Sequence, residues 1–233
     1  MSTRQDFVIK IGYYVGGTLP LGNSEKEQAI ALAVDFHSRI SPRLISVDVT
    51  GTGAFEYKCS TYLTSWVENF SIIKSVEYPV DDTDETPDMM LDEQLIKDYK
   101  KSNETYFRFL DDVPPTTESF RVNYTTRHTV SDATSTIPAQ EENSFVLMSS
   151  ALFCKMIAGY YAQQGDSSIG ADAARNDDLT SRYLKMYSSY KKDYNDLMGI
   201  DKNNLIQAAS ITMDQDADAS WQTDKLTHPR RYR

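Results

Sequence analysis

The hydrophobic pattern changes its period twice along this chain, near Pro42 and near Pro138. Apolar residues recur at helical spacing before Pro42, alternate between the two prolines, and return to helical spacing afterwards. A chain patterned in this way is confined to an α+β fold, in which a helical core carries a β module inserted into it. The boundaries predict a helical core from residues 1–42 and 131–200, an antiparallel β module over 43–130, and an extended C-terminal tail over 201–233.

Residues 1–22 are ambiguous, because "DFVIKIGYYV" reads equally as a short helix or a strand. The next segment predicts a helix over 24–41. Ser24 and Glu27 have capping-box spacing, Ile30, Ala33, Val34, His37 and Ile40 share a face, and Pro42 ends the run. His37 on that apolar face reads as a packed core or interface histidine. Six strand-like runs follow at short intervals, which argues for a sandwich or small barrel. "RLISVDVTG" and "AFEYKC", joined by "TGTG", read as a hairpin. "FSIIKSVEYPV", "QLIKDYK", "ETYFRFL" and "SFRVNYTTRHTV" are the other four runs.

The stretch at 141–164 is apolar on nearly every side, which predicts a buried central helix. It reads as too short and too polar at its ends to span a bilayer, and no membrane partner is expected. "GDSSIGADAARND" reads as a loop. A further helix then places Leu179, Tyr183, Met186, Tyr187, Tyr190, Tyr194 and Leu197 on one stripe, with Gly199 as its C-cap.

No sequence motif for catalysis or cofactor binding is present, and no cofactor or metal is expected. Cys59 and Cys154 have no CxxC partner and read as reduced, buried thiols. His37, His128 and His228 fall in three separate segments and cannot be triangulated from sequence, so the chain reads as a non-enzyme. Two acidic stretches suggest calcium loops and fail the pattern. Counted from Asp214, Ala219 stands where an EF-hand needs Gly and Lys225 where it needs Glu; counted from Asp82, Pro87 takes the Gly position. A net charge of -10 argues against binding a duplex through a broad phosphate-contacting surface.

The periodicity fades after Asp201, and the charge of the tail is segregated. Asp214, Asp216, Asp218 and Asp224 come first, then Arg230, Arg231 and Arg233. Trp221, Leu226 and Tyr232 are apolar anchors in the same stretch, with His228 and Pro229 between them. An arm with a few anchors and a basic tip is suited to docking.

The order of elements resembles the head-to-tail adaptor proteins of tailed bacteriophages, also called head-completion or neck-connector proteins. The resemblance runs over about 24–200: a helix, a β module with "VEYP" and "VNYTTRHTV", an apolar helix ending "AGYYAQQGDSSIGAD", and the helix "SRYLKMYSSYKKDYNDLMGI". The ending "LTHPRRYR" is also similar to members of that group, whereas the first helix and the acidic loop at 81–88 depart from it. The resemblance implies a structural virion protein of the neck, assembled in the bacterial host cytoplasm. It implies a homo-oligomeric ring, expected to be dodecameric, between the portal protein and the tail or a further neck protein. Genomic DNA would pass through its lumen without specific binding. It further implies that Trp221, Leu226, His228, Pro229, Arg230, Arg231, Tyr232 and Arg233 dock on the portal or a neighbouring subunit. The alternative is a tail-associated binding module for a receptor or carbohydrate.

Overall fold

The computed structural model describes residues 2–16, 20–80, 96–110, 113–164 and 170–200. The fold is α+β, with about 49% helix and 23% strand. Four long helices form a bundle, and two small antiparallel sheets face one another between the second and third of them.

The segment that sequence left ambiguous is helix α1, Arg4–Val15. Thr3 and Asp6 cap it reciprocally. The Thr3 hydroxyl accepts from the Asp6 N–H at 3.3 Å, and the Asp6 carboxylate accepts from the Thr3 N–H at 2.7 Å. Phe7, Val8, Ile11 and Val15 then fall on one buried face, a helical spacing that decides against a strand. Helix α2, Asn23–Ile40, begins one residue earlier than predicted. The box expected from Ser24 and Glu27 is replaced by Glu25, whose carboxylate accepts from the Gly22 N–H at 2.9 Å. Ser24 lies inside the helix, where it cannot act as the cap.

The expected hairpin between the first two strands is not formed. Strand β1, Arg43–Thr50, pairs with β6, Ser119–Thr126, while β2, Glu56–Lys58, pairs with β5, Glu104–Phe109. The two strands therefore lie in different sheets, ordered β1-β6-β3 and β2-β5-β4, with β3 at Ile73–Glu77 and β4 at Ile96–Lys101. The cause is local. Gly51 crosses the 113–118 segment so closely that a Cβ there would stand 2.5 Å from the Pro114 carbonyl oxygen and nearer still to that of Pro115. Its N–H donates to the Glu118 carbonyl at 2.8 Å, and the chain passes to the opposite sheet instead of folding back. A short helix α3, Cys59–Tyr62, follows β2. The hairpin that does form joins β4 to β5 through Ser102 and Asn103, both at positive φ, as a two-residue turn of matching twist requires.

The sandwich core is aromatic. Tyr57 lies parallel to Phe107 at 5.4 Å and edge-on to Phe120 of the other sheet at 4.9 Å. Val122 and Tyr124 extend the same buried face of β6.

A separate apolar cluster holds the bundle together around α4, Glu142–Gln163. Phe145, Val146, Met148, Phe153, Cys154 and Ile157 are all buried on it. By length and composition Ala139–Gln163 could cross a membrane, contrary to the reading that it is too short; 61% of its most apolar 18-residue window is buried inside the fold. Helix α5, Gly170–Leu197, begins well before the predicted start, and eight of the thirteen residues of the expected loop are helical. Ala173, Ala174 and Arg175 favour that state, and the Asn176 side chain donates to the Gln164 carbonyl at 3.0 Å. Of the predicted stripe, Tyr183, Met186, Tyr187, Tyr190 and Tyr194 pack on the bundle, while Leu197 is 61% exposed. Beyond Leu197 the chain turns at Gly199, φ 65°, where Ile200 donates to the Asn195 carbonyl at 2.9 Å and Gly199 to that of Asp196 at 3.4 Å. This paired closure satisfies the last carbonyls and returns Ile200 to the core.

Candidate functional site

The residues proposed from sequence as docking contacts, Trp221 to Arg233, lie outside the described residues, as do both acidic stretches at 81–88 and 214–225. The structure does place the point from which the tail departs. Ile200, three residues past the end of α5, is the last described residue and packs in the bundle core; a buried polar cluster that was not foreseen lies between the bundle and the sandwich.

His37 and His128, which sequence could not bring together, lie with ring centroids 5.6 Å apart. Each is put there by a simple rule. His37 occupies the buried stripe of α2, in line with Ala33 and Ile30. His128 follows β6, just where the chain leaves the sandwich to return to the bundle. The only signal in the sequence was that both sit next to a change of period.

His128 fastens the two strands of chain that join bundle to sandwich. Its Nε2 faces the Ser41 carbonyl at 2.9 Å, on the connection from α2 to β1. Its Nδ1 faces the Thr136 carbonyl at 3.0 Å and the Thr136 hydroxyl at 3.2 Å, on the connection from β6 to α4. Its backbone N–H donates to the Ser38 hydroxyl at 3.0 Å. The residue is 4% exposed, so these contacts replace water rather than compete with it.

His37 is fully buried and touches three elements. Its Nδ1 lies 3.2 Å from the Tyr194 hydroxyl of α5. Its Nε2 lies 2.9 Å from Glu141 Oε2 but out of hydrogen-bond alignment. Glu141 also accepts from the Ser41 hydroxyl at 3.2 Å. Burial pushes the His37 imidazole below the ordinary histidine range, opposed by the Glu141 charge and reinforced by His128. The Tyr194 phenol is pushed upward by burial first and by Glu141 second, so it remains a hydroxyl donor.

The node combines acid–base groups with the hydroxyls of Ser38, Ser41 and Thr136, which are taken up in hydrogen bonds across the junction. The two thiols are elsewhere in the buried clusters, and burial pushes both up to about 12, which keeps them protonated at neutral pH. Among the described residues no group of three or more His, Cys, Asp or Glu side chains could hold a metal ion. The arrangement can position and stiffen a junction.

The outer surface carries the other candidate features. Ile9 and Tyr13 on α1 are 47% and 82% exposed, and Leu32 and Phe36 on α2 are 53% and 37% exposed. Each pair is spaced four residues apart and so shares a helix face. On the sandwich, Leu44, Phe55, Ile72 and Leu110 are also exposed. The chain matches no family model and no curated protein.

Proposed function

We propose that this protein is a head-to-tail adaptor of a tailed bacteriophage, a structural neck component that assembles as a ring between the portal and the tail or a further neck protein. The observation that carries the reading is the pair of apolar stripes on α1 and α2, which stay exposed although a sizeable core is already buried. Large apolar side chains held in rows on a helix surface mark contacts with another protein. A ring supplies such a contact on every subunit.

Three further features support it. The junction between bundle and sandwich is fastened at His128, which suits a part that transmits position. The net charge of -10 favours passage of DNA over capture along the lumen. The tail, with Trp221, Leu226, His228, Pro229, Arg230, Arg231, Tyr232 and Arg233 as proposed contacts, gives each subunit an arm, and many weak arms acting together give avidity.

Removing the tail tests the reading. Truncation after Ile200 leaves the paired closure at Gly199 intact and is expected to leave the fold unchanged. Cosedimentation with portal or filled heads is expected to fall sharply. Replacing Arg230, Arg231 and Arg233 with Glu weakens attachment in a salt-dependent way. Undiminished cosedimentation of the truncated protein would remove the docking role of the tail.

A further inference from the structure

The outward face of the β2-β5-β4 sheet differs in charge from the chain as a whole. The pairing registers bring Glu56, Arg108 and Lys97 into one row, Lys58, Tyr106 and Tyr99 into the next, and Glu104 and Lys101 into the third. Side chains at alternate strand positions point to one side, and the intervening Tyr57 and Phe107 fill the core, so these rows face away from it. The face holds four cations and two carboxylates, in a protein of net charge -10.

Glu104 is already engaged: it lies 2.5 Å from the Lys58 ammonium and accepts from the Tyr106 hydroxyl at 3.3 Å. Burial, and then Glu56 beside it, push the Tyr99 phenol upward, so its hydroxyl stays protonated. Among the described residues Lys97, Lys101 and Arg108 form no ion pair, and all three are exposed. At the centre Tyr99 and Tyr106 lie nearly parallel, 21° apart with centroids at 5.8 Å, and Lys101 Nζ stands 5.9 Å from the Tyr106 centroid.

We propose that this sheet face binds single-stranded nucleic acid, with Tyr99 and Tyr106 stacking on bases and Lys97, Lys101 and Arg108 meeting phosphates. Complementary charge argues for the occupant: with Lys58 and Glu104 paired to each other, three exposed cations stand against the single carboxylate of Glu56. An acidic peptide would need the cations but not the ring pair, and a sugar would need the rings but not the cations. A strand of nucleotides uses both, and tolerates any sequence because every base has a stacking face. An open sheet face suits splayed single-stranded bases rather than duplex edges. The inference goes beyond the adaptor reading and requires no ring.

Fluorescence anisotropy of the full chain with a labelled mixed-sequence DNA strand of roughly 20 nucleotides tests it directly. Saturable binding is expected at about 50 mM salt, with log affinity falling against log salt at a slope of about -2, from three phosphate contacts at ~0.7 each. Lys97→Gln, an exposed change on an edge strand, reduces the slope by about 0.7. Exchanging Tyr99 and Tyr106 for Ser weakens binding at least about tenfold with the slope unchanged. Circular dichroism of each variant checks that the fold persists. Absence of saturable binding overturns the proposal. So does equal affinity for a duplex of the same length, equal competition by polyglutamate, or binding by a folded Tyr99→Ser, Tyr106→Ser variant as tight as that of the natural chain.

Discussion

Replacing His128 tests how far the junction holds the two halves of the fold together. The buried ring faces two partly buried backbone carbonyls, at 2.9 Å from Ser41 and 3.0 Å from Thr136, and one hydroxyl at 3.2 Å. Phe keeps most of the volume and removes the polar contacts. A buried acceptor left without a partner costs about 1–3 kcal/mol. The Thr136 hydroxyl also lies 3.4 Å from the Thr129 carbonyl, so the hydroxyl keeps a partner when the ring is lost. His128→Phe is therefore expected to cost about 2–3 kcal/mol, set by the orphaned Ser41 carbonyl with a smaller share from Thr136. His128→Ala adds the lost packing of the ring and is expected to cost about 4 kcal/mol. Out of a total of roughly 5–15 kcal/mol, either change is large.

Urea unfolding followed at once by far-ultraviolet circular dichroism, dominated by the bundle, and by fluorescence of Trp66, which packs against the sandwich core, is the assay. In the natural chain truncated after Ile200, which retains Trp66 and loses Trp221, the two signals are expected to change together. In His128→Phe the midpoint falls and the two transitions separate, because the staple across both connections is gone. A His128→Phe protein with the natural midpoint and coincident transitions would refute the reasoning.

Gly51→Ala places a methyl against two proline carbonyls and is expected to cost at least about 2–3 kcal/mol, read as a lower melting temperature; an unchanged melting temperature contradicts the crossing geometry. Stability is expected to depend on the pH near the histidine range. The folded His37 imidazole titrates below its unfolded value of 6.5, so the unfolded chain binds its proton first and stability declines as pH falls below 6.5 toward the folded value. Comparing urea midpoints at about pH 7.5 and about pH 5.5, His37→Met has a flatter dependence than the natural chain; an equal slope would assign the effect elsewhere. Ile200→Ser is expected to loosen the end of α5 by about 1–3 kcal/mol, since it removes the apolar residue that the closure at Gly199 returns to the core; hydrogen exchange over the last turn checks it.

Residues whose placement follows from local spacing were legible in the sequence. The buried stripe Ile30, Ala33 and His37, the all-round burial of α4, and Tyr183 to Tyr194 on α5 each follow from a 3.6-residue period. The composition of both cores, and so the α+β class, could be read the same way. Choices between partners could not be read. The strands β1 and β2 have good alternation and a glycine turn between them, yet pair elsewhere, because the approach of Gly51 to Pro114 and Pro115 is a contact across more than sixty positions. Alternation reports which face is buried and is silent on which neighbour pairs. The start of α5 was missed because alanines and charged residues carry helix propensity without an apolar stripe. The histidine node was missed for a related reason. His37 and His128 are separated by the whole β module, and only the return of β6 to the bundle brings them within ring contact.

The proposal that the protein is a ring-forming neck adaptor is tested most directly by electron microscopy of the full chain, alone and mixed with the portal protein proposed as its partner. The adaptor account predicts closed rings of uniform subunit number seated coaxially on the portal, with the α1 and α2 stripes that carry Ile9, Tyr13, Leu32 and Phe36 covered by neighbouring subunits. A protein that stays monomeric at every concentration, forms no ring with the portal and keeps those stripes exposed would contradict it.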